Sequence, residues 1–357
     1  MFDSLKAATD RLLGRGSAAI TVPVMDGAFK PNRVLDDARV VAEMPGIDDL
    51  ASDGDVLWAS AGPVLHRIGD DGKAVEARRF DAEITALAVR RGNVAVALGG
   101  RRIDVIAPDG STASLSTLVG RPLACVNALA YAGDDELVFS DGSQRNGPEA
   151  WCRDLMELGR GGRAGRWSIG MPMAAELAHG LRYAYGILPQ GDGVLVSESW
   201  RHRVVQTGGK PVLSELPGYP SRMTPASGGG WWLTCFVCRT QLVEFVLREK
   251  AYRERMLAEI DPRYWIAPAL ASGRSFLEPL QGAGVKQMGV LKPWAPPRSY
   301  GLVLRVDAQG QVAASLHSQV DGRHHGITAV AEHRGRLYVA SKGSGRLLVV
   351  DPKGVGA

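Results

Sequence analysis

Nine positions spread along the chain carry side chains able to do chemistry together: Asp48, Asn127, Tyr185, Glu198, Ser221, Arg222, His324, His325 and Thr328. An imidazole beside a carboxylate works as a general base, and a guanidinium holds an anionic group or an oxyanion. On these types, His325, Asp48 and Tyr185 form the candidate catalytic set. Asn127, Arg222, Ser221, Thr328, His324 and Glu198 are the candidate ligand-binding residues, and the ligand they suit is small and anionic. A structural alternative uses the same residues: Asp48 and Arg222 neutralise each other, and His325 is a satisfied polar side chain. His202 and Arg203, next to Glu198, read as solvent-facing.

Other reactive groups point to nothing beyond packing. Cys235-x-x-Cys238 has metal or redox spacing, but it lies in an apolar run that reads as a strand. A spacing of three on a strand sends the two thiols to opposite faces. The pair is therefore expected to be one core and one surface cysteine. Arg160, Arg163 and Arg166 are diluted by glycine and read as a solvated loop. Net charge is +4, from 42 basic and 38 acidic residues, too balanced for a nucleic-acid surface. The first thirty or so residues hold no apolar run of signal-peptide length, and nothing approaches the ~20 apolar residues of a membrane span. The expectation is a cytoplasmic chain without disulfides.

The elements that position these residues recur. A polar residue, a few apolar or small ones, a turn rich in Gly and Asp, and an apolar strand appear six times. The copies begin at Asp48, Thr85, Asn127, Tyr185, Ser221 and Thr328 and run to Val56–Ser60, Val94–Ala97, Leu137–Ser140, Val194–Ser197, Trp231–Thr234 and Leu337–Ala340. Each copy reads as a β-hairpin, and several are followed by a third strand and a D-G-type turn. That is the make-up of a propeller blade. The fold class is all-β, a six-bladed β-propeller over residues 20–357 behind an N-terminal tail, 1–19. Although 357 residues would suggest two ordinary domains, blades add to one ring. The first strand of each blade lines the central tunnel, so the residues opening the repeats form a ring at its mouth. Ile20–Glu43 is expected to supply an outer strand that closes the ring against the last blade. Two segments, 143–166 and 241–297, do not follow the blade pattern. The second makes a helical excursion between late blades. Leu242–Ile260 reads as one amphipathic helix with Phe245, Tyr252, Met256 and Ile260 near one face, stopped by Pro262. Such excursions serve as lids, as docking elements for a partner protein, or as packing on the rim.

The sequence also resembles the strictosidine synthase-like branch of the gluconolactonase, regucalcin and paraoxonase-like propellers. The resemblance is carried by Phe139-Ser140-Asp141-Gly142-Ser143, Leu216-Pro217-Gly218-Tyr219-Pro220, the Trp231–Thr234 strand with Arg239-Thr240, and Leu302–Asp307 through Ser341. It extends from about Gly46 to Asp351 in consistent order. It implies a divalent ion such as Ca²⁺ in the tunnel, held by carboxylates and amides. Two of the implied ligand positions keep suitable oxygens, Asp48 and Asn127. Two do not: Tyr185 stands where the family has an asparagine, and Ser221-Arg222 where it has Asp-Asn. A fixed guanidinium there argues against the ion, and no metal cofactor is expected. The glutamate used in strictosidine synthesis falls on Thr328. No carboxylate lies between Gly322 and Ala331, so that reaction is not expected. Two functions remain: a small-molecule hydrolase for lactones or esters at the tunnel mouth, or a non-catalytic propeller that binds a small anionic ligand or a protein.

Overall fold

The computed structural model describes residues 22–272, 278, 286–287, 290–291 and 298–352. The expected tail, 1–19, and much of 273–297 lie outside the described residues. Six four-stranded antiparallel sheets succeed one another along the chain, and the innermost strand of each packs against its two neighbours around one axis. These inner strands are Ile47–Ser52, Ile84–Arg90, Val126–Tyr131, Ala184–Gln190, Gly218–Pro225 and Ile327–His333 in blades 1 to 6. The chain is therefore a six-bladed β-propeller, and every residue read as opening a repeat lies on an innermost strand.

Local chemistry explains the hairpins. Two of them turn on Arg91-Gly92 and Arg334-Gly335, where both residues have positive φ. That is the type I′ geometry whose twist suits adjacent strands, and glycine adopts it freely. Between blades the seams are apolar and graded in size. In the seam of blades 2 and 3, Ala86, Ala95 and Ala97 sit with Leu137, Phe139 and Trp167, all fully buried. The ring closes as expected. Arg39–Glu43 pairs antiparallel with Arg346–Val350 and becomes the outer strand of blade 6.

One feature of register decides how the tunnel is built. In each blade the first strand starts opposite the end of the second, as in Ile47↔Ala61, Val126↔Asp141 and Ile327↔Ser341. Soon after that point every inner strand carries one extra residue, in blade 5 following an extra residue on the second strand opposite Tyr219 and Pro220. The shifts fall at Ile47/Leu50, Ile84/Ala86, Val126/Ala128, Ala184/Ile187, Pro220/Met223 and Ile327/Ala329. A β-bulge leaves its extra residue out of the ladder and re-aims it. All six tunnel residues sit in these bulges. Hydroxyls at the ends of the second strands satisfy the freed backbone groups. Ser60 Oγ accepts from Asp49 N at 3.0 Å, Ser197 Oγ accepts from Gly186 N at 2.6 Å, and Thr234 Oγ1 donates to Thr328 O at 3.1 Å.

Several expectations need correction. The segment 143–166 is not wholly an excursion, because Gly162–Ser168 is the third strand of blade 3. Within it Arg163 is buried rather than solvated. Its guanidinium grips the buried Asp141 carboxylate at 2.5 Å and donates to Leu118 O and Pro122 O. Cys235 and Cys238 are both buried in one apolar cluster at the seam of blades 4 and 5, because a register shift between Tyr219 and Pro220 breaks the strict alternation of the strand between them. All four cysteines are free thiols. The single helix expected over Leu242–Ile260 is two: α1, Gln241–Arg248, and α2, Lys250–Glu259, broken at Glu249 where ψ is 78°. The face that packs is Val243, Val246 and Met256, while Phe245, Tyr252 and Ile260 are exposed. Among the described residues no helix is long and apolar enough to cross a membrane.

Candidate active site at the tunnel mouth

The connections between second and third strands all leave from the end of the propeller where the bulges lie. Two of them are long. The blade 3 connection carries a short helix, Trp151–Met156, and the blade 5 connection carries α1 and α2. Their apolar sides meet Tyr183, Tyr185, Trp200, Tyr219 and Phe236 in one aromatic cluster. The excursions thus roof the mouth of the tunnel. Beneath them is a narrow cavity of about 20 Å³, room for a single water. Asp48, Thr85, Asn127, Tyr185, Thr328 and Lys342 form its floor and walls, and Pro148, Trp151, Phe236 and Leu270 line it from above.

Asp48 is held from two sides. Its Oδ1 lies 3.2 Å from Arg222 Nη1, and its Oδ2 lies 3.1 Å from Lys342 Nζ. Burial alone would raise its pKa, but the Lys342 ammonium first and the Arg222 guanidinium second overcome that and hold the carboxyl below its ordinary value. Asp48 is therefore ionised at neutral pH. The neighbouring Asp49 accepts from Leu50 N and Leu87 N, each at 2.8 Å, and from Arg222 at 3.1 Å. Burial pushes its pKa up to about 6 against the pull of Arg222. Burial likewise lifts the Tyr185 phenol well above its usual range, so it stays a neutral donor.

Arg222 rises along the axis from the bulge of blade 5. Beside the two carboxylates it donates to Asp48 O at 2.8 Å, Thr85 O at 2.6 Å, Asn127 O at 2.9 Å and Thr328 O at 3.4 Å. Its Cζ also sits 5.3 Å from the Tyr185 ring centroid, a cation–π distance. The guanidinium is turned to the protein's own oxygens, so the expected role of Arg222 in holding an anionic ligand is corrected. The structural alternative, pairing with Asp48, is present, with Asp49 as a further partner.

The other candidates divide. Asn127 and Thr328 line the cavity, but Thr328 Oγ1 donates to Asp48 O at 2.6 Å and Asn127 Nδ2 to Ala184 O at 3.1 Å. Ser221 is fully buried below the mouth, with its Oγ 2.7 Å from Thr234 Oγ1. His325 is not brought to the cavity. Its ring stacks on Tyr300, with Nδ1 2.7 Å from Ser299 Oγ and Nε2 2.6 Å from Gln319 O. His324 is buried behind it, where burial lowers its pKa. Both precede the inner strand of blade 6, and at ~3.3 Å per residue that takes them off the tunnel ring. Glu198 is also elsewhere: it is fully buried and accepts from Arg182 N at 2.8 Å and Arg203 Nε at 2.7 Å. His202 is buried against Glu244 at 3.3 Å rather than solvent-facing, and Arg203 is spent on Glu198.

These residues do not fit a divalent ion. Both oxygens of Asp48 are taken by cations, and the side-chain Oδ1 of Asn127 accepts from Cys125 Sγ at 3.5 Å. Among the described residues no group of three or more His, Cys, Asp or Glu is arranged to hold a metal.

Comparison with known proteins places the fold. No protein-family model matches the chain. It is 24% identical over 371 residues to adipocyte plasma membrane-associated protein of Salmo salar, covering 92% of this chain and 81% of that one. To the Danio rerio protein of the same name it is 26% identical over 305 residues, covering 72% and 74%. Among solved structures, a gluconolactonase of Xanthomonas campestris superposes with a TM-score of 0.56 at 15% identity, covering 88% of this chain and 90% of the other. Regucalcin of Agrobacterium tumefaciens, described as a calcium-binding protein, superposes with a TM-score of 0.52 at 13% identity, covering 88% and 92%.

Proposed function

We propose that this propeller is a small-molecule hydrolase of the lactone or ester type, of the strictosidine synthase-like and paraoxonase-like kind. It acts at the tunnel mouth without a divalent metal. The observation that carries this reading is the Lys342 ammonium, 3.1 Å from an ionised Asp48 in the axial cavity. An ammonium and a neutral phenol, Tyr185, beside one carboxylate can polarise a carbonyl oxygen while the carboxylate orients water. Asp48 is a weak base because its pKa is lowered, so carbonyl polarisation carries most of the rate. A substrate larger than water requires the roof to give way at Leu270 or Trp151. The fold likeness to a gluconolactonase supports the substrate class.

The test is a panel of γ- and δ-lactones and aryl esters assayed in EDTA with wild type and Lys342→Met. Turnover that falls at least about a hundredfold in the variant is the expected result, with the fold kept and melting lowered because Asp48 loses one of its two cations. The second reading, a non-catalytic propeller that binds a small ligand or a partner protein through 241–297, is favoured by the small cavity and the internally committed Arg222. Binding without turnover anywhere in the panel would select it.

A further inference from the structure

The oxygens around Arg222 form a cage of a recognisable kind. Four are backbone carbonyls, from Asp48, Thr85, Asn127 and Thr328, and two are carboxylate oxygens, from Asp48 and Asp49. They come from blades 1, 2, 3 and 6, and the arginine itself comes from blade 5. The carbonyls point to the axis because each belongs to a bulge residue released from its ladder. Six hard oxygens carrying two negative charges surround this one buried group, shared among its Nε, Nη1 and Nη2, and oxygens of this kind are what a divalent cation such as Ca²⁺ takes. A guanidinium supplies instead a delocalised charge and five donors in a plane.

We propose that the Arg222 guanidinium is the resident cation of this tunnel, a covalently tethered ion that ties five blades together at the axis, and that the space it fills is a latent cation site. Lys342 supplies the second positive charge, so the two carboxylates are balanced by two side chains of the same chain. Four of the six bulges turn a carbonyl to this cage, while those of blades 4 and 5 turn theirs, Tyr185 O and Ser221 O, to the hydroxyls of Ser140 and Ser197. This inference is independent of whether the mouth above hydrolyses anything.

The test is thermal unfolding of Arg222→Ala, with and without methylguanidinium or Ca²⁺ at millimolar concentration. Truncation leaves two buried carboxylates short of a charge, and melting is expected to fall by roughly 5–10 °C. Either added cation should return several degrees to the variant, and methylguanidinium should do nothing for wild type. If Arg222→Ala does not fold, the triple variant Asp48→Asn, Asp49→Asn, Arg222→Met should fold, because the uncompensated charge is then gone. A variant that melts with wild type, one that neither cation rescues, or a triple variant as unfolded as the single one would overturn the proposal.

Discussion

Asp48 is where the two cations of the tunnel meet, and the buried charges around it behave by the same rule as those farther out. Arg163 and Asp141 are the clearest such pair away from the axis, both within 1% of full burial. Arg163→Met should strip Asp141 of its partner and cost about 3–5 kcal/mol. The urea midpoint would drop while the m-value stays constant; a loss under about 1 kcal/mol would show that the pair carries little. His317 gives a pH signature. Burial drives its pKa from 6.5 down to about 4, between Tyr300 Oη at 3.0 Å and Ser315 Oγ at 2.8 Å. The unfolded chain takes a proton below pH 6.5 that the folded chain refuses until about 4. The contribution of His317 is therefore complete above pH 6.5 and declines as pH falls across that window, by at most roughly 3 kcal/mol. His317→Gln should flatten that slope, and two parallel stability curves would contradict the assignment. Much of the tunnel was readable, since Asp48, Thr85, Asn127, Tyr185 and Thr328 line the cavity from the inner strands on which the repeat put them, while Arg222 was singled out through the family resemblance. Lys342 and Asp49 were not, because the repeat was aligned on first strands. The repeat held no cue for Lys342, since the residues that follow the matching hydroxyls in blades 3, 4 and 5, Asp141, Glu198 and Cys235, are buried away from the cavity. The histidines were misplaced because nearness to Thr328 in sequence is not nearness to it on the axis.

The elements that roof the site are pinned by a few contacts. Helix α1 is tied down through Glu244, whose Oε1 meets His202 Nε2 at 3.3 Å, Arg239 Nε at 3.2 Å and the Tyr219 hydroxyl at 3.2 Å. Burial would raise the Glu244 pKa, but His202 and then Arg239 outweigh it and hold it at about 2. Glu244→Gln should therefore loosen α1. Amides of 243–247 are expected to exchange at least about tenfold faster, with the blade amides unaffected. Equal protection in both proteins would place the anchor elsewhere. The pattern missed the break in this helix because it weighted the largest side chains, Phe245, Tyr252 and Ile260. Tertiary packing took the smaller Val243 and Val246, and the kink at Glu249 then reset the phase. Leu270 is the other roof contact to probe. Leu270→Ala should open the mouth and lower KM for bulky substrates or ligands, and an unchanged KM would mean that access lies through another part of the roof.

At the scale of the whole molecule, the ring holds because its ends are sewn and its centre is neutral. The blade pattern was legible because each hairpin repeats a period-two strand and a glycine turn, and the closing strand expected within Ile20–Glu43 is Arg39–Glu43. The bulges were illegible, since one extra residue in a short apolar run leaves no mark on composition. Leu35, fully buried against blades 5 and 6, adds to the seam. Removing residues 1–43 should lower a single cooperative melt by roughly 10 °C or more rather than fray one blade; an unchanged melt would mean that closure is dispensable. The neutral centre is the claim on which the site and its chemistry both depend. It is tested most directly by calorimetric titration of Ca²⁺ into chelator-stripped wild type. With Arg222 and Lys342 already balancing Asp48 and Asp49, no stoichiometric heat is expected in the micromolar range. One tight site per chain, abolished by Asp48→Asn, would contradict the account and put a metal ion where we place a guanidinium.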